Sequence, residues 1–227
     1  MRSNQMREAR KARGWTQAGF AHRLGVSQGY VSLLESNRRA LPAHLASKLI
    51  GLLDMPASAL PVSKSQSEPL PSDRVAGALG TLGYPGFAYL KHGKRLNPAE
   101  FLVRTLRRKN VEARHVEALP WVVVHHPQLD WQWLLPNAKQ NDLQNRLGFV
   151  VTVARQLAER QNDPAMATEL RKWEGVLEHS RLQQEDAFAG DTLTEAERRW
   201  LRANRPPEAA HWNLLTNVSA ETLSSAF

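Results

Sequence analysis

Two adjacent imidazoles, His125 and His126, are the side chains in this 227-residue chain whose type first suggests metal ligation. Their spacing argues against it. On a helix, neighbouring side chains point about 100° apart and cannot chelate one ion as an i, i+4 pair does. His115, ten residues before His125, does not complete a set. The run "GALGTLG" places Gly77, Gly80 and Gly83 three apart, with no preceding strand and no lysine followed by serine or threonine. It therefore meets neither phosphate-loop template, and close helix packing or a loop explains it better. Asp142 and Arg146 are one helical turn apart and read as an ordinary surface ion pair. The absence of cysteine excludes disulfides, thiolate catalysis and cysteine zinc sites. No nucleophile with a base and no acid pair emerges, so the expectation is a non-enzymatic protein with no metal and no cofactor.

Binding chemistry is better represented. Between residues 91 and 109, seven basic residues (Lys91, Lys94, Arg95, Arg104, Arg107, Arg108 and Lys109) face one acid, Glu100. Arg104 and Arg108 share a helix face. Such a band is either a solvated face or a patch for an acidic protein or a nucleic acid. Trp131 and Trp133, in "LDWQWLL", fall on different helix faces, one suited to the core and one to an interface, where tryptophan is enriched. The candidate partner-binding residues are Arg104, Arg107, Arg108, Trp131 and Trp133. The net charge of +8 is uneven: residues 1–61 hold nine Lys and Arg against three acids, and residues 62–227 hold 21 against 19. The N-terminal segment is the polyanion candidate.

The elements that must position these residues are helical. In "TQAGFAHRLGVSQGYVSLLE", Thr16 and Ser27 each precede a helix-forming run and can act as N-caps, and Gly25 stands where a chain leaving a helix commonly needs a positive φ. The spacing predicts a tight helix-turn-helix. "NQMREARKAR" before it, the leucine-spaced "LPAHLASKLIGLLDM" after it and a short helix at "PASALP" complete a five-helix module over residues 1–61. Residues 62–73 combine proline, serine and charge without an apolar period, the composition of a solvated linker. From residue 74 to 227 the patterns are helical: Asn97 caps a helix with Pro98 at its first position and an end near Lys109. Leu143, Leu147, Val150, Val151, Ala154 and Leu157 form one buried face, Met166, Leu170, Trp173 and Leu177 another, and Thr194 with Glu197 makes a capping box. "WVVVHH" reads as a buried helix following Pro120. The fold class is all-α, a helix-turn-helix domain, a linker and a helical-bundle domain for partner binding or dimerisation. With no apolar run of about 18 residues and no signal-peptide core, a cytoplasmic protein without membrane contact is expected.

Residues 6–60, through "MREARKARGWTQ", Ala21, "LGVSQGYVSLLE" and "SNRRALP", resemble the Cro/C1-type (XRE) helix-turn-helix of phage repressors and bacterial regulators. The resemblance implies double-stranded operator DNA as partner, with the third helix in the major groove. Gln28 is then the first base reader, since an amide donates and accepts to adenine at once. Ser27 lies at the same helix start, and Tyr30 and Ser32 are secondary contacts to thymine methyl or phosphate. Gln17 is expected on a phosphate, and Asn37, Arg38 and Arg39 on the DNA backbone. Arg10 and Glu35 match a pair that forms an internal salt bridge in some relatives. Gly29 departs from the pattern where a second base reader often stands, and Gly19 weakens the second helix. The layout of "LGYPGFAYLKHG", "NPAEFLVRTL", "VEALPWVVVHHPQLDWQWLL" and "NDLQNRLGFVV" is loosely similar to regulators encoded beside nucleotidyltransferase-like toxins. That likeness implies an autorepressing antitoxin, a homodimer that also binds a cognate toxin. The alternatives are a ligand-responsive repressor with a small-molecule pocket in the helical domain and an enzyme tethered to DNA.

Overall fold

The computed structural model describes residues 3–62, 68–90 and 95–223. The expected opening helices form α1 (Ser3–Ala12), α2 (Gln17–Leu24), α3 (Gln28–Glu35) and α4 (Ala43–Leu53). Local chemistry sets their ends. The Thr16 hydroxyl accepts the Gly19 N–H at 3.0 Å, the Ser27 hydroxyl accepts the Tyr30 N–H at 3.2 Å, and Gly25 turns the chain at φ 82°. Met6, Phe20, Leu24, Val31, Leu49 and Ile50 are fully buried between the four helices. Ala21, small as the crossing requires, is buried beside them.

The fifth helix of the module is only a single 3-10 turn, Ala57–Ala59. It sits on a seam: Ala57 joins the core of the C-terminal body, while Ala59 and Leu60 join the N-terminal core. The expected solvated linker is also shorter than its composition suggested. Leu70 is buried, its N–H donates to the Arg104 carbonyl at 3.1 Å, and Ser72 already opens α5 (Ser72–Leu82).

The body continues with a 3-10 segment (Pro85–Leu90), α6 (Pro98–Leu106), α7 (Ala113–His125), α8 (Trp131–Gln140), α9 (Gln144–Arg160), α10 (Pro164–Glu178), α11 (Glu195–Asn204), α12 (Pro207–His211) and α13 (Ala220–Leu223). Asn97 caps α6 with Pro98 at its start, and Thr194 and Glu197 form the capping box of α11. Gly80 lies against the 3-10 segment so closely that a Cβ would stand 2.4 Å from the Phe87 carbonyl oxygen. The glycine spacing is therefore a packing device.

Helix α9 is the hub. Thirteen of its 17 residues are buried, so it is enclosed nearly all round instead of along one stripe. α7 does not start at Pro120 but runs through it, because Ala118, Leu119, Trp121, Val122 and Val123 are all buried and outweigh the roughly 3 kcal/mol cost of an interior proline. α6 stops at Leu106, short of Lys109, and a two-residue parallel pair forms between Asp186–Ala187 (β1) and Leu214–Leu215 (β2). One residue accounts for both departures. Arg146 is buried, not on the surface, and pairs with Asp186 through Nε at 2.6 Å and Nη2 at 2.8 Å. It also donates to the carbonyls of Leu106, Arg108 and Ala187 at 2.7, 2.6 and 2.7 Å. All five guanidinium donors are used, and Asp142 is not its partner. Among the described residues no helix is long and apolar enough to cross a membrane.

His115 is buried in this core, His126 is half-buried and His125 is exposed. His125 stacks on Trp121 with ring centroids 4.0 Å apart, and both ring nitrogens of His115 are buried without a hydrogen-bond partner among the described residues. Burial holds the His115 pKa below its ordinary value and brings that of His126 down to about 4. Folded-state values below the unfolded value near 6.5 give stability that is complete above that pH and lost as pH falls below it, because the unfolded chain takes up the protons. Urea unfolding at pH 7.5 and pH 5 should therefore show a loss at pH 5, of which His126 contributes roughly 2 kcal/mol. His126→Gln should remove that part. Equal pH dependence in the variant would show that His126 is already protonated in the fold.

Candidate nucleic-acid interface

Gln17 and Gln28 are the first residues of α2 and α3, each just past a hydroxyl cap. The crossing of the two helices brings them together: Gln28 Nε2 donates to Gln17 Oε1 at 2.8 Å. Gln17 Nε2 in turn donates to Glu35 Oε2 at 2.9 Å. Because an ionised carboxylate only accepts, Glu35 fixes which way the Gln17 amide faces. Glu35 is itself held by Arg10, through Nε at 2.6 Å and Nη2 at 3.1 Å, and Arg10 donates further to the Trp15 carbonyl. Four side chains from three helices thus form one line, from a buried ion pair to an exposed amide.

Electrostatics keep that line in place. Burial alone would raise the Glu35 pKa, but the hydrogen bonds from Arg10 and Gln17 and the Arg10 charge outweigh it and hold the carboxyl below its ordinary range. The Arg10 pKa is raised by the same pair. Gln28 is left with one N–H and its carbonyl oxygen, the donor and acceptor that a bidentate contact to adenine requires.

The other expected contacts surround this point. Gly29 is exposed, with nothing within 4 Å of where a Cβ would stand. Bare backbone replaces a second reader there. The Ser27 hydroxyl is engaged as a cap, and Ser32 is half-buried. Tyr30 is half-buried under the Arg39 guanidinium, 4.9 Å from its ring centroid. Asn37 takes a left-handed φ of 58° directly after α3, which turns Arg38 and Arg39 outward, both exposed. A feature that the motif did not flag lies alongside: Trp15, stacked on Phe20, carries the guanidinium groups of Arg23 and Arg13 at 4.6 and 5.6 Å. Its signal was the "RGW" stretch, an arginine two positions before an aromatic residue at a turn.

The second set of candidates is dispersed. Arg104 donates to the Glu68 carbonyl at 2.9 Å and pairs with Glu100 at 3.5 Å, while Arg108 donates to the carbonyls of Leu70 and Asn110. Arg107 is half-buried, and Lys109 is exposed with Asp191 at 3.8 Å. Lys91 and Lys94 lie outside the described residues. Trp131 is buried and stacks on Trp173 at 4.9 Å, whereas Trp133 is half-buried.

Residues 6–60 match a family model described as helix-turn-helix. No curated protein and no solved structure matches the chain. The capped α2–α3 pair, the Arg10–Glu35 tie and that match agree, and the chain is a DNA-binding regulator whose helix-turn-helix module occupies residues 6–60.

Proposed function

We propose that this regulator reads a specific operator by placing α3 in the major groove, with Gln28 on an adenine edge. Gln17 and the N-terminus of α2 take a phosphate, Ser27, Tyr30 and Ser32 flank the reader, and Asn37, Arg38 and Arg39 hold the DNA backbone. The observation that carries the reading is the 2.8 Å bond from Gln28 to Gln17, backed by the buried Arg10–Glu35 pair. An otherwise mobile amide is thereby pre-oriented at an exposed helix start. One module spans only a short half-site, so a homodimer with recognition helices about 34 Å apart completes the operator contact. Gln28→Ala should then reduce discrimination between operator and scrambled duplex by about 1 to 3 kcal/mol, whereas Arg38→Ala should weaken both duplexes by a similar factor. Fluorescence titration of both variants decides; losses of the same size on both duplexes for Gln28→Ala would remove its reading role.

The body serves as a protein-binding platform in this proposal, and the physiological role is that of an autorepressing antitoxin. Support comes from the layout similarity noted above and from the surface of the body. No side chain of α11 is buried, and it presents Trp200, 56% exposed, while Tyr89 is 69% exposed. Of the earlier candidates, Arg104, Arg107, Arg108 and Trp133 are half-buried, with Trp133 packed against the core of the body, and Trp131 is buried. The separate core of the body further suggests that residues 68–227 fold without the module. That fragment should rescue cells from the product of the neighbouring gene without binding operator. Rescue by residues 1–61 alone would reverse the assignment.

A further inference from the structure

The two cores do not close on each other completely. A cleft of about 600 Å³ opens between them, within the range of small-molecule sites. One wall belongs to the DNA-binding module, through Ala46 of α4 and Leu60; the other belongs to the body, through Leu70, Ala78 and Leu96. Its polar groups are guanidinium-rich: Arg74, Arg95 and Arg104 stand against Asp73 and Glu100. These charges are not equivalent. Arg104 answers Glu100 at 3.5 Å, and Asp73 lies in the first turn of α5, where the helix dipole favours a negative charge. Arg74 and Arg95 are exposed; among the described residues Arg74 has no hydrogen-bond or ion-pair partner, and Arg95 donates through Nε to the Thr81 carbonyl at 3.1 Å. A lining part apolar and part charged, with the Arg74 guanidinium and the terminal Nη groups of Arg95 exposed beside it, is complementary to a carboxylate or phosphate carried on an apolar body.

The site also straddles a joint. Asn97 ties the module to the body: its Nδ2 donates to the carbonyls of Ser58 and Leu60 at 3.0 and 2.7 Å, and its Oδ1 accepts the Ala99 N–H at the start of α6. Leu60 and Asn97 both line the cleft. A molecule held there touches both sides of that tie, so its affinity depends on how the module is seated on the body. Where operator binding alters that seating, linkage requires the occupied cleft to shift operator affinity by the same factor. We infer that this cleft binds a small organic anion and that its occupancy adjusts DNA binding, the regulatory half resting on the operator-binding reading above.

The test separates the two. Calorimetry on the full-length chain with octanoate and hexyl phosphate should show one saturable site per chain for at least one of them, with octanamide about tenfold weaker. The exposed double substitution Arg74→Glu/Arg95→Glu should weaken binding by about tenfold, and Gly77→Leu, which fills the α5 wall, should abolish it. Saturating ligand should change operator affinity several-fold in the wild type and not in the double variant. No saturable binding of either anion, or binding that neither variant alters, would overturn the site; binding without any change in operator affinity would overturn the coupling. A chain that binds the anion yet selects no DNA sequence would instead sink the operator reading and leave the site standing.

Discussion

Arg146→Ala is expected to lower the unfolding free energy by about 3 kcal/mol or more, the largest loss of any single truncation considered for the body. The size follows from what is left behind. The native guanidinium uses both Asp186 oxygens and three backbone carbonyls from two separate stretches, 106–108 and 187. Truncation leaves a carboxylate that is only one-third exposed, and three acceptors without their donor, in a site the alanine cannot refill. Asp186→Asn should cost less, because the guanidinium keeps its three carbonyls and the amide oxygen still accepts. Urea titrations of both variants check the order. A loss below about 1 kcal/mol for Arg146→Ala would mean that water replaces the guanidinium and that the end of α6 and the β1–β2 pair stand without it.

Gly148→Ala comes second and reverses the usual rule for a glycine inside a helix. On an open helix face the change gains about 1 kcal/mol. At position 148 a Cβ would stand 2.4 to 2.5 Å from three atoms of the Trp212 ring, far inside carbon–carbon contact. The ring cannot swing away: Trp212 is fully buried, and its Nε1 donates to the Thr152 hydroxyl at 2.7 Å. That hydroxyl in turn donates to Glu174, which also binds Arg155. Overpacking therefore wins, with a net loss of about 2 kcal/mol and a larger one for Gly148→Val. Gly175 in α10 is the internal control, since nothing lies within 4 Å of its Cβ position. Gly175→Ala should stabilise by about 0.5 to 1 kcal/mol. If thermal unfolding moved in the same direction for both alanine variants, the close Gly148–Trp212 approach would be wrong.

What could be read from the chain before its structure follows the range of the forces involved. The caps at Thr16, Ser27, Asn97 and Thr194 and the left-handed turn at Gly25 are set by residues within four positions, and each appears where the local pattern placed it. Pro120 shows the limit of the same logic, because an interior proline is decided by burial contributed from other helices. Arg146 looked like half of an i, i+4 pair, yet its partner lies forty residues on and its other acceptors are carbonyls, which carry no side-chain signal. In the basic band, Arg104 and Arg108 likewise meet the backbone oxygens of Glu68 and Leu70, which charge counting cannot see. In the interface, Gln17, Gln28, Arg10 and Glu35 were each legible through a family resemblance. Their linkage into one line depends on how α1, α2 and α3 cross, which only the fold supplies.

Altering single atoms of the DNA decides whether Gln28, at the start of α3, reads an adenine in the major groove. Duplexes selected by the full-length chain from a random pool would be resynthesised with 7-deazaadenine at each adenine in turn, which removes the N7 acceptor and leaves the base pair intact. The wild-type chain should lose about 1 to 3 kcal/mol at one adenine in each half-site, and Gln28→Ala should be indifferent to the replacement there. Losses that persist undiminished in Gln28→Ala, or an operator on which no adenine N7 matters, would rule out Gln28 as the adenine reader.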